Sequence, residues 1–369
     1  MIRMRTQRYM RAHLKKMDKL MNTVYAKMTE EEIDEAQIRR AGEILRRGGL
    51  VAFPTETVYG LGGDAFNPES SKKIYAAKGR PSDNPLIVHI CRIEDMEKVA
   101  AQVPREAVLL AKAFWPGPLT IILPKRPELP RETTGGLDTV AIRFPSNKIA
   151  RAMIDAGGGF IAAPSANRSG RPSPTLAQYC REDLDGRVDM IIDGGQVGLG
   201  LESTIIDLTD KVPVILRPGF VTWEKLHEVL GDVNAGSLVP DMSDNTAPKA
   251  PGMKYRPYAP KGNLTIVDGP ADKVTAYINE KIRAHRAGGI RTGVICTEET
   301  KDAYIADLVK SAGSREDEES VARELFRILR EFDDEGAGEI YAESFDATGV
   351  GRAVMNRLLK AAGQHIVHL

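Results

Sequence analysis

The chain has 369 residues, enough for two domains that each bury a hydrophobic core. Its 51 basic and 51 acidic side chains balance, which excludes a protein that wraps nucleic acid through overall charge, although local basic patches are allowed. The cysteines lie far apart without a CxxC pair, which argues against a zinc ribbon or a disulfide framework. No apolar run approaches the ~20 residues that span a bilayer, and the N-terminus lacks the apolar region of a signal peptide. A cytoplasmic location without a membrane partner is therefore expected.

Residues 1–29 form a basic N-terminal extension in which Asp18 is the only acid of the first twenty positions. A transit peptide or an RNA-binding arm would have this charge. A frayed terminus is the simpler interpretation, and no function is assigned to the extension. From Glu31 onwards apolar residues recur at helical spacing, and Gly48-Gly49 supplies the stop that ends the predicted helix.

Residues 30–233 are predicted to form a strand-rich mixed α/β domain. A strand over 50–53, a turn over 60–63 and a helix over 69–77 come first. A strand over 86–90 and a helix over 94–114, interrupted by a proline, follow. Further short strands alternating with loops are predicted at 119–123, 139–143, 160–163, 188–193, 203–207 and 214–217.

Residues 234–262 are predicted to be a linker, because the segment is rich in Pro, Gly, Ser, Asp and Asn and has no periodic apolar pattern. Strands and helices alternate over 263–369 in the manner of a small parallel sheet. The predicted strands are 264–267, 292–296 and 340–343, and the predicted helices are 271–285, 301–310, 319–332 and 351–362. The predicted fold class is α/β, with a mixed catalytic domain and a smaller Rossmann-like C-terminal domain.

The most informative segment runs from the strand at 50–53 through the hydroxyl-rich Thr55-Glu56-Thr57-Val58-Tyr59 to Lys78-Gly79-Arg80. A buried strand would hold the hydroxyls rigidly while the two cations neutralise an anion, which predicts a phosphate-handling site. The alternatives are a solvated helix end for the cations, a core position for His89 and a simple turn for Ser165-Ala-Asn167.

The glycine run at 60–65 satisfies the G-x-G-x-x-A fingerprint of dinucleotide-binding proteins. Phe66-Asn67-Pro68 follows it where the fingerprint requires a helix to open, and Arg80 stands where the acidic residue belongs. A Walker A motif is absent as well, so any ATP would have to be held by a site without a P-loop.

These motifs, in this order, resemble the YrdC family, and the chain from about Glu30 to Leu369 resembles its two-domain members, the threonylcarbamoyl-AMP synthases. The resemblance implies a nucleotidyltransferase that joins L-threonine, bicarbonate and ATP into L-threonylcarbamoyl-AMP and pyrophosphate. ATP would be a substrate, and Mg²⁺ is expected to accompany it. A separate tRNA threonylcarbamoyl transferase would use the product to modify the adenosine next to the anticodon in tRNAs that read codons starting with A.

The resemblance also implies roles for individual residues. Lys78 and Arg80 would be the catalytic cations, and no metal ligand is assigned. The threonine pocket would consist of Thr57, His89, Arg143, Ala163 and Ser203. ATP would contact Arg80, Asn84, Thr139, Ser165, Ser173, Arg217 and Tyr255. The linker would cover the site through residues 254–260, where Pro257 replaces the usual histidine of the family and removes a side-chain donor.

Two other functions are compatible with a domain of this kind. A module that binds double-stranded RNA or tRNA without catalysis would use a concave basic surface, and a weak tRNA contact could also accompany the enzyme. Carbamoyl transfer, as in hydrogenase maturation proteins with a related domain, would require zinc-finger cysteine pairs that this sequence lacks.

Overall fold

The computed structural model describes residues 22–236, 248–251 and 258–369, and two β-sheets organise these residues. The larger sheet has ten strands in the order β1-β8-β2-β3-β7-β4-β6-β5-β9-β10 and mixes parallel with antiparallel pairs. Its strands are β1 Val24–Lys27, β2 Val51–Phe53, β3 Gly60–Asp64, β4 Ile87–His89, β5 Leu119–Pro124, β6 Thr139–Arg143, β7 Ile161–Ala163, β8 Met190–Asp193, β9 Thr204–Asp207 and β10 Val214–Arg217.

Helices flank this sheet, and the helix that leads into the site has clear start and stop signals. Asn67 accepts a hydrogen bond from the backbone N–H of Glu69, and Pro68 occupies the first turn. Gly79 ends the helix with φ 62°, so Lys78 is its last residue and Arg80 follows directly. The helices of this domain are α1 Glu35–Arg46, α2 Pro68–Lys78, α3 Met96–Val99, α4 Arg105–Phe114, α5 Lys148–Ala156, α6 Ala177–Leu184 and α7 Trp223–Leu230.

The second sheet has five parallel strands in the order β13-β12-β14-β11-β15. Parallel strands need crossover connections, and helices supply most of them here. The elements are β11 Asn263–Asp268, α8 Ala271–Ala287, β12 Thr292–Cys296, β13 Leu308–Ser311, α9 Glu318–Glu335, β14 Glu339–Glu343, α10 Gly351–Ala361 and β15 Ile366–His368. The predicted α/β class with a Rossmann-like second domain is confirmed.

The two domains share a hydrophobic cluster. Val58, Leu201 and Phe220 of the larger domain are buried together with Phe326 of α9 and Leu358 of α10. Continuous apolar burial of this kind favours a fixed arrangement of the two domains over independent motion. Within the described residues, no helix combines the length and apolar character needed to cross a bilayer.

Several predicted elements differ from the structure. The predicted turn over 60–63 is wrong, because these residues form β3, where the Phe53 ring occupies the space that side chains at Gly60 and Gly62 would fill. The predicted helix over 301–310 is also wrong. Only a short 3₁₀ turn, Lys301–Ala303, forms there, and Leu308–Ser311 pairs with β12 because sheet pairing overrides the local pattern.

Some elements were not predicted at all. Helices α5, α6 and α7 have 9, 8 and 8 residues, which is too short for a clear helical periodicity. Strand β1 lies within the segment assigned to the N-terminal extension. It pairs in parallel with β8, and Ala26 and Met28 are buried, so residues 24–28 belong to the core of the larger domain.

The role of this segment can be tested with Met28→Ala. The side chain is 5% exposed and packs in the main core, so its truncation should lower the free energy of unfolding by about 2–5 kcal/mol. Lys27→Ala, at the exposed neighbouring position, should change it by less than about 0.5 kcal/mol. Urea unfolding measures both values. A loss for Met28→Ala as small as that expected for Lys27→Ala would show that Met28 does not contribute to the core.

Candidate active site

A cavity of about 340 Å³ opens in the larger domain at the C-terminal end of α2. Strands β3, β4, β6 and β7 form its floor, and the segment 163–171 forms one wall. Pro251 and Tyr258, on either side of an undescribed part of the linker, also line it. The cavity brings together eight of the predicted site residues, namely Lys78, Arg80, Asn84, His89, Arg143, Ala163, Ser165 and Arg217.

Strand register brings three of these residues to the floor. β4 lies between β7 and β6, so residues far apart in the sequence become neighbours. His89 is the register partner of Arg143 on β6, and Ile87 is the partner of Ala163 on β7. The floor therefore combines a histidine, an arginine and a small apolar side chain within three adjacent strands.

Arg143 lies beside Glu56, and both side chains are nearly buried. The Nη2 atom of Arg143 is 2.8 Å from a carboxylate oxygen of Glu56. Nevertheless Nε and Nη2 of the arginine and both oxygens of the glutamate lack hydrogen-bond partners of acceptable geometry among the described residues. Unused hydrogen-bonding capacity on buried charged groups is costly and is typical of a site that a polar ligand completes.

His89 is neutral at physiological pH. Burial, and next the positive charge of Arg143, lower its pKa to about 3. Its Nδ1 lies 3.1 Å from the carbonyl oxygen of Ile87, and its ring meets the edge of Phe53. The histidine can therefore exchange a hydrogen bond with a ligand without adding charge to the floor.

Lys78 and Arg80 are fixed by hydrogen bonds and are not a solvated helix end. The Nζ atom of Lys78 donates to the backbone carbonyls of Ser165 and Asn167, and its burial lowers its pKa well below the usual value. Arg80 donates from Nη2 to the Asn84 side-chain oxygen at 2.6 Å and from Nε to the Asn84 backbone oxygen at 3.2 Å. Both cations face the cavity in defined orientations.

Glu202 and Arg217 form a second charged group at the cavity. Burial raises the pKa of Glu202, but the positive charges of Arg357 and Arg217 outweigh it, and the pKa falls to about 2. Arg217 donates to the backbone oxygen of Ser203 at 3.0 Å and to its hydroxyl at 3.1 Å. Ser203 thus fixes the orientation of the Arg217 guanidinium by accepting two hydrogen bonds from it.

Four of the predicted residues that the structure describes do not line the cavity, namely Thr57, Thr139, Ser173 and Ser203. Thr57 is fully buried, and its hydroxyl lies 2.9 Å from that of Thr55, which does line it. Ser173 donates to Glu202 at 2.6 Å, Ser203 supports Arg217, and the remaining described residue, Thr139, begins β6. Tyr255 lies outside the described residues. Direct ligand contacts stay predictions for all of the predicted site residues.

Three further lining residues, Thr55, Tyr59 and Tyr258, lie in segments that the sequence analysis placed at the site, whereas Arg171 had no role in the prediction. Thr55 and Tyr59 belong to the hydroxyl-rich segment predicted to orient an anion, although neither was assigned to a particular ligand. Tyr258 has a φ of 70°, which is rare for a residue with a side chain. Its ring lies 5.0 Å from that of Phe326 in α9, so only the packing of the second domain reveals its position.

The structure is that of a two-domain α/β protein whose larger sheet carries, at its central strands, a cavity lined by Lys78, Arg80, Arg143 and Arg217. No group of three or more His, Cys, Asp or Glu side chains that could hold a metal ion occurs in the described ranges. Residues 43–219 match the family profile described as telomere recombination. Residues 221–363 match the one described as threonylcarbamoyl-AMP synthase, C-terminal domain.

Curated relatives cover nearly the whole chain. The chain is 49% identical to the threonylcarbamoyl-AMP synthase of Pyrococcus abyssi over 337 residues, which are 91% of this chain and 97% of that protein. It is 48% identical to that of Bacillus subtilis over 345 residues, 93% of this chain and 98% of the relative. The crystal structure of P. abyssi Sua5 complexed with L-threonine is similar with a TM-score of 0.88 and 47% identity, covering 94% and 99% of the two chains. The chain belongs to the threonylcarbamoyl-AMP synthase family.

The neutral state of His89 can be tested through the pH dependence of stability. Between pH 6.5 and about 3 the unfolded histidine binds a proton that the folded one does not, so stability is lost as pH falls through this window. His89→Gln should flatten the decline in the free energy of unfolding between pH 6.5 and 5 by up to about 1.4 kcal/mol per pH unit.

Urea unfolding at pH 7, 6 and 5 measures this decline. The control is His365→Gln, because His365 is exposed in the second domain. This variant shows what the loss of an exposed histidine does to the measured free energies of unfolding. An unchanged decline in His89→Gln would mean that the folded His89 takes up the proton as readily as the unfolded one.

Proposed function

We propose that this chain synthesises L-threonylcarbamoyl-AMP and pyrophosphate from L-threonine, bicarbonate or CO₂, and ATP. The observation that carries the proposal is the cavity itself. It places a buried arginine with unused donors, Arg143, beside the cations Lys78, Arg80 and Arg217. A carboxylate and a triphosphate can both be neutralised in one space of about 340 Å³.

Threonine would bind on the floor formed by β4, β6 and β7. Nε and Nη2 of Arg143 make no hydrogen bond of good geometry within the described residues, although Nη2 lies 2.8 Å from Glu56, and together they match the two oxygens of a carboxylate. The neutral His89 can accept or donate a hydrogen bond to the amine or the hydroxyl, and Ala163 leaves room for the methyl group. Thr57 and Ser203, the other residues assigned to this pocket, lie just behind the wall formed by Thr55 and Arg217.

ATP would occupy the opposite part of the cavity. Arg80, Asn84 and Ser165 line this part. Arg217 also lines it, and burial lowers its pKa only to about 10, so the guanidinium stays charged at neutral pH. Thr139, Ser173 and Tyr255 complete the proposed set of ATP contacts. Lys78, held by two carbonyls of the wall, is proposed to face the phosphates.

In the proposed reaction the threonine amine and bicarbonate give a carbamate and water. A carbamate oxygen then forms a bond to the α-phosphorus while the bond to the departing pyrophosphate breaks. Mutual repulsion of the two anions is the main barrier, so positioning and charge neutralisation by Arg143, Lys78 and Arg80 should provide most of the catalysis. No enzyme nucleophile is needed.

Mg²⁺ is proposed to enter as part of the substrate, on the phosphate oxygens of ATP. The only carboxylate that lines the cavity among the described residues is Glu202, and it is already paired with Arg357. Bound magnesium would reduce the negative charge of the triphosphate. The product is proposed to pass to a separate tRNA threonylcarbamoyl transferase. The reaction needs no tRNA in the cavity, so the weak tRNA contact stays a prediction.

The proposed reaction can be tested directly with the purified chain, ATP, L-threonine and labelled bicarbonate. A labelled adenylate should form only when threonine is present. Arg143→Met removes charged hydrogen bonds to the threonine carboxylate, each worth about 1.5–3 kcal/mol. Its KM for threonine should therefore rise at least tenfold, while the KM for ATP should change less than twofold. Arg80→Met should show the reverse pattern.

Arg92→Met is the matched control, because Arg92 forms an exposed ion pair with Asp155 at the surface. Its kinetic constants should not change. A labelled product that forms without threonine would contradict the proposed reaction. Equal effects of Arg143→Met on both KM values would contradict the division of the cavity into two halves.

Side-chain discrimination gives a second test. Serine lacks only the methyl group of threonine, which is worth about 1–3 kcal/mol in a hydrophobic pocket. Valine lacks the hydroxyl, so it would leave a buried polar partner unsatisfied. Threonine-free assays should therefore show weak pyrophosphate release with serine and almost none with valine. Equal rates for the two amino acids would contradict a pocket that recognises the hydroxyl.

A further inference from the structure

The second domain contributes two buried arginines to one short segment beside the cavity. Arg330 of α9 and Arg357 of α10 are both fully buried. Arg330 donates to the backbone oxygen of Pro172 from Nε at 3.0 Å and from Nη2 at 2.6 Å. Arg357 donates from Nε to Glu202 at 2.9 Å, and the other oxygen of Glu202 accepts from Ser173 at 2.6 Å. The adjacent residues Pro172 and Ser173 are therefore held by different arginines.

This segment is continuous with the cavity wall. Ser169, Gly170 and Arg171 line the cavity directly before it, and Glu202 lines it from the other side. Asp183 accepts the backbone N–H of Arg168 at 3.0 Å and forms a buried ion pair with Arg330 at 2.8 Å. Asp183 also pairs with Arg171 of the segment itself, so Arg330 is one of two cations at this carboxylate. Arg357 is the cation that hydrogen-bonds Glu202.

The burial of the two carboxylates makes their pairing with arginines energetically important. Asp183 and Glu202 are buried carboxylates, and a buried carboxylate without its cation is far less stable than a paired one. An unpaired Glu202 would also face the part of the cavity proposed for the triphosphate and repel it. The arginines of the second domain thus contribute to the charge balance of this wall, together with Arg171 at Asp183 and Arg217 near Glu202.

On the basis of the proposed function, we propose that Arg330 and Arg357 are positioning residues for ATP. They fix the segment 168–173 and the carboxylate of Glu202, and through them the nucleotide part of the cavity. The floor residues proposed for threonine, Arg143, His89 and Ala163, lie on strands of the larger sheet. Within the described ranges no hydrogen bond or ion pair joins their side chains to the second domain. The second domain should then control ATP affinity and leave threonine affinity unchanged.

The test measures the dissociation constants of a non-hydrolysable ATP analogue and of L-threonine, separately, by calorimetry on the full chain. Arg357→Met should weaken binding of the ATP analogue at least tenfold and change threonine binding less than twofold. Glu202→Gln combined with Arg357→Met removes the stranded negative charge, and it should restore ATP-analogue binding to within threefold of the original chain. A merely structural role would not produce this rescue.

Arg323→Met is the matched control. Arg323 also belongs to α9 and donates across the domain boundary, to the backbone oxygen of Gly198 at 2.9 Å, but it is exposed and its partner does not line the cavity. This variant should bind both ligands as the original chain does. Arg330→Met should also weaken binding of the ATP analogue alone, but less than Arg357→Met, because Arg171 still pairs with Asp183.

Thermal unfolding first shows whether each variant is folded. If Arg357→Met does not fold, Arg357→Lys replaces it, because lysine keeps the charge but loses the second hydrogen bond, to Pro218. That variant should weaken ATP-analogue binding three- to tenfold. Equal losses for ATP analogue and threonine, an effect of Arg323→Met as large as that of Arg357→Met, or failure of the double variant to recover would each overturn the proposal.

The proposed reaction is tested separately, by the formation of a labelled adenylate in the original chain. If that chain forms no threonine-dependent adenylate, the proposed function fails. The comparison of dissociation constants still reports whether the two arginines position a nucleotide site, because it does not depend on turnover.

Discussion

The cavity depends on one physical constraint, which is that every buried charge in its walls must be compensated by a group from another part of the chain. Lys78 meets backbone carbonyls of the segment 163–171, Arg217 meets Ser203, and Glu202 meets Arg357. An isolated buried charge would cost several kcal/mol, so these contacts must form together with the fold. Arg143 and Glu56 are the exception, because their charges approach while their hydrogen bonds stay unmade. Ligand recognition would use this remaining capacity.

The architecture explains how these partners meet. The mixed sheet places β7, β4 and β6 side by side. Ala163, His89 and Arg143 therefore share one floor, although their order in the sequence differs from their order in the sheet. Gly60 and Gly62 of β3 have no side chains, which leaves room for the Phe53 ring. This ring and the ring of His89 are perpendicular to each other. The second domain then closes the opposite side through Arg357 and the packing of Phe326 on Tyr258. Rigid elements hold each group, as a preorganised site requires.

Local sequence was sufficient for the features that depend on neighbouring residues. The strand Thr139–Arg143 was predicted with its observed bounds. Lys78, Gly79 and Arg80 line one cavity, and the binding of charged ligands there stays a prediction. Features set by distant residues were not predictable. Glu202 and Arg357 are 155 positions apart, and no local pattern connects them. The glycines of β3 suggested a turn because the ring that requires them comes from another strand.

The two substrate sites of the proposed reaction would have different structural origins. The threonine site would be built from strands of a single sheet, so its geometry would be as rigid as the sheet. The ATP site would be shared between a loop, the linker and two helices of the second domain, so its geometry would depend on how the domains pack. Nucleotide affinity could then change through residues such as Arg330 and Phe326, far from the reacting atoms, without changing the choice of amino acid. A chain with this division can keep amino acid specificity in one domain and nucleotide affinity in the contact between two.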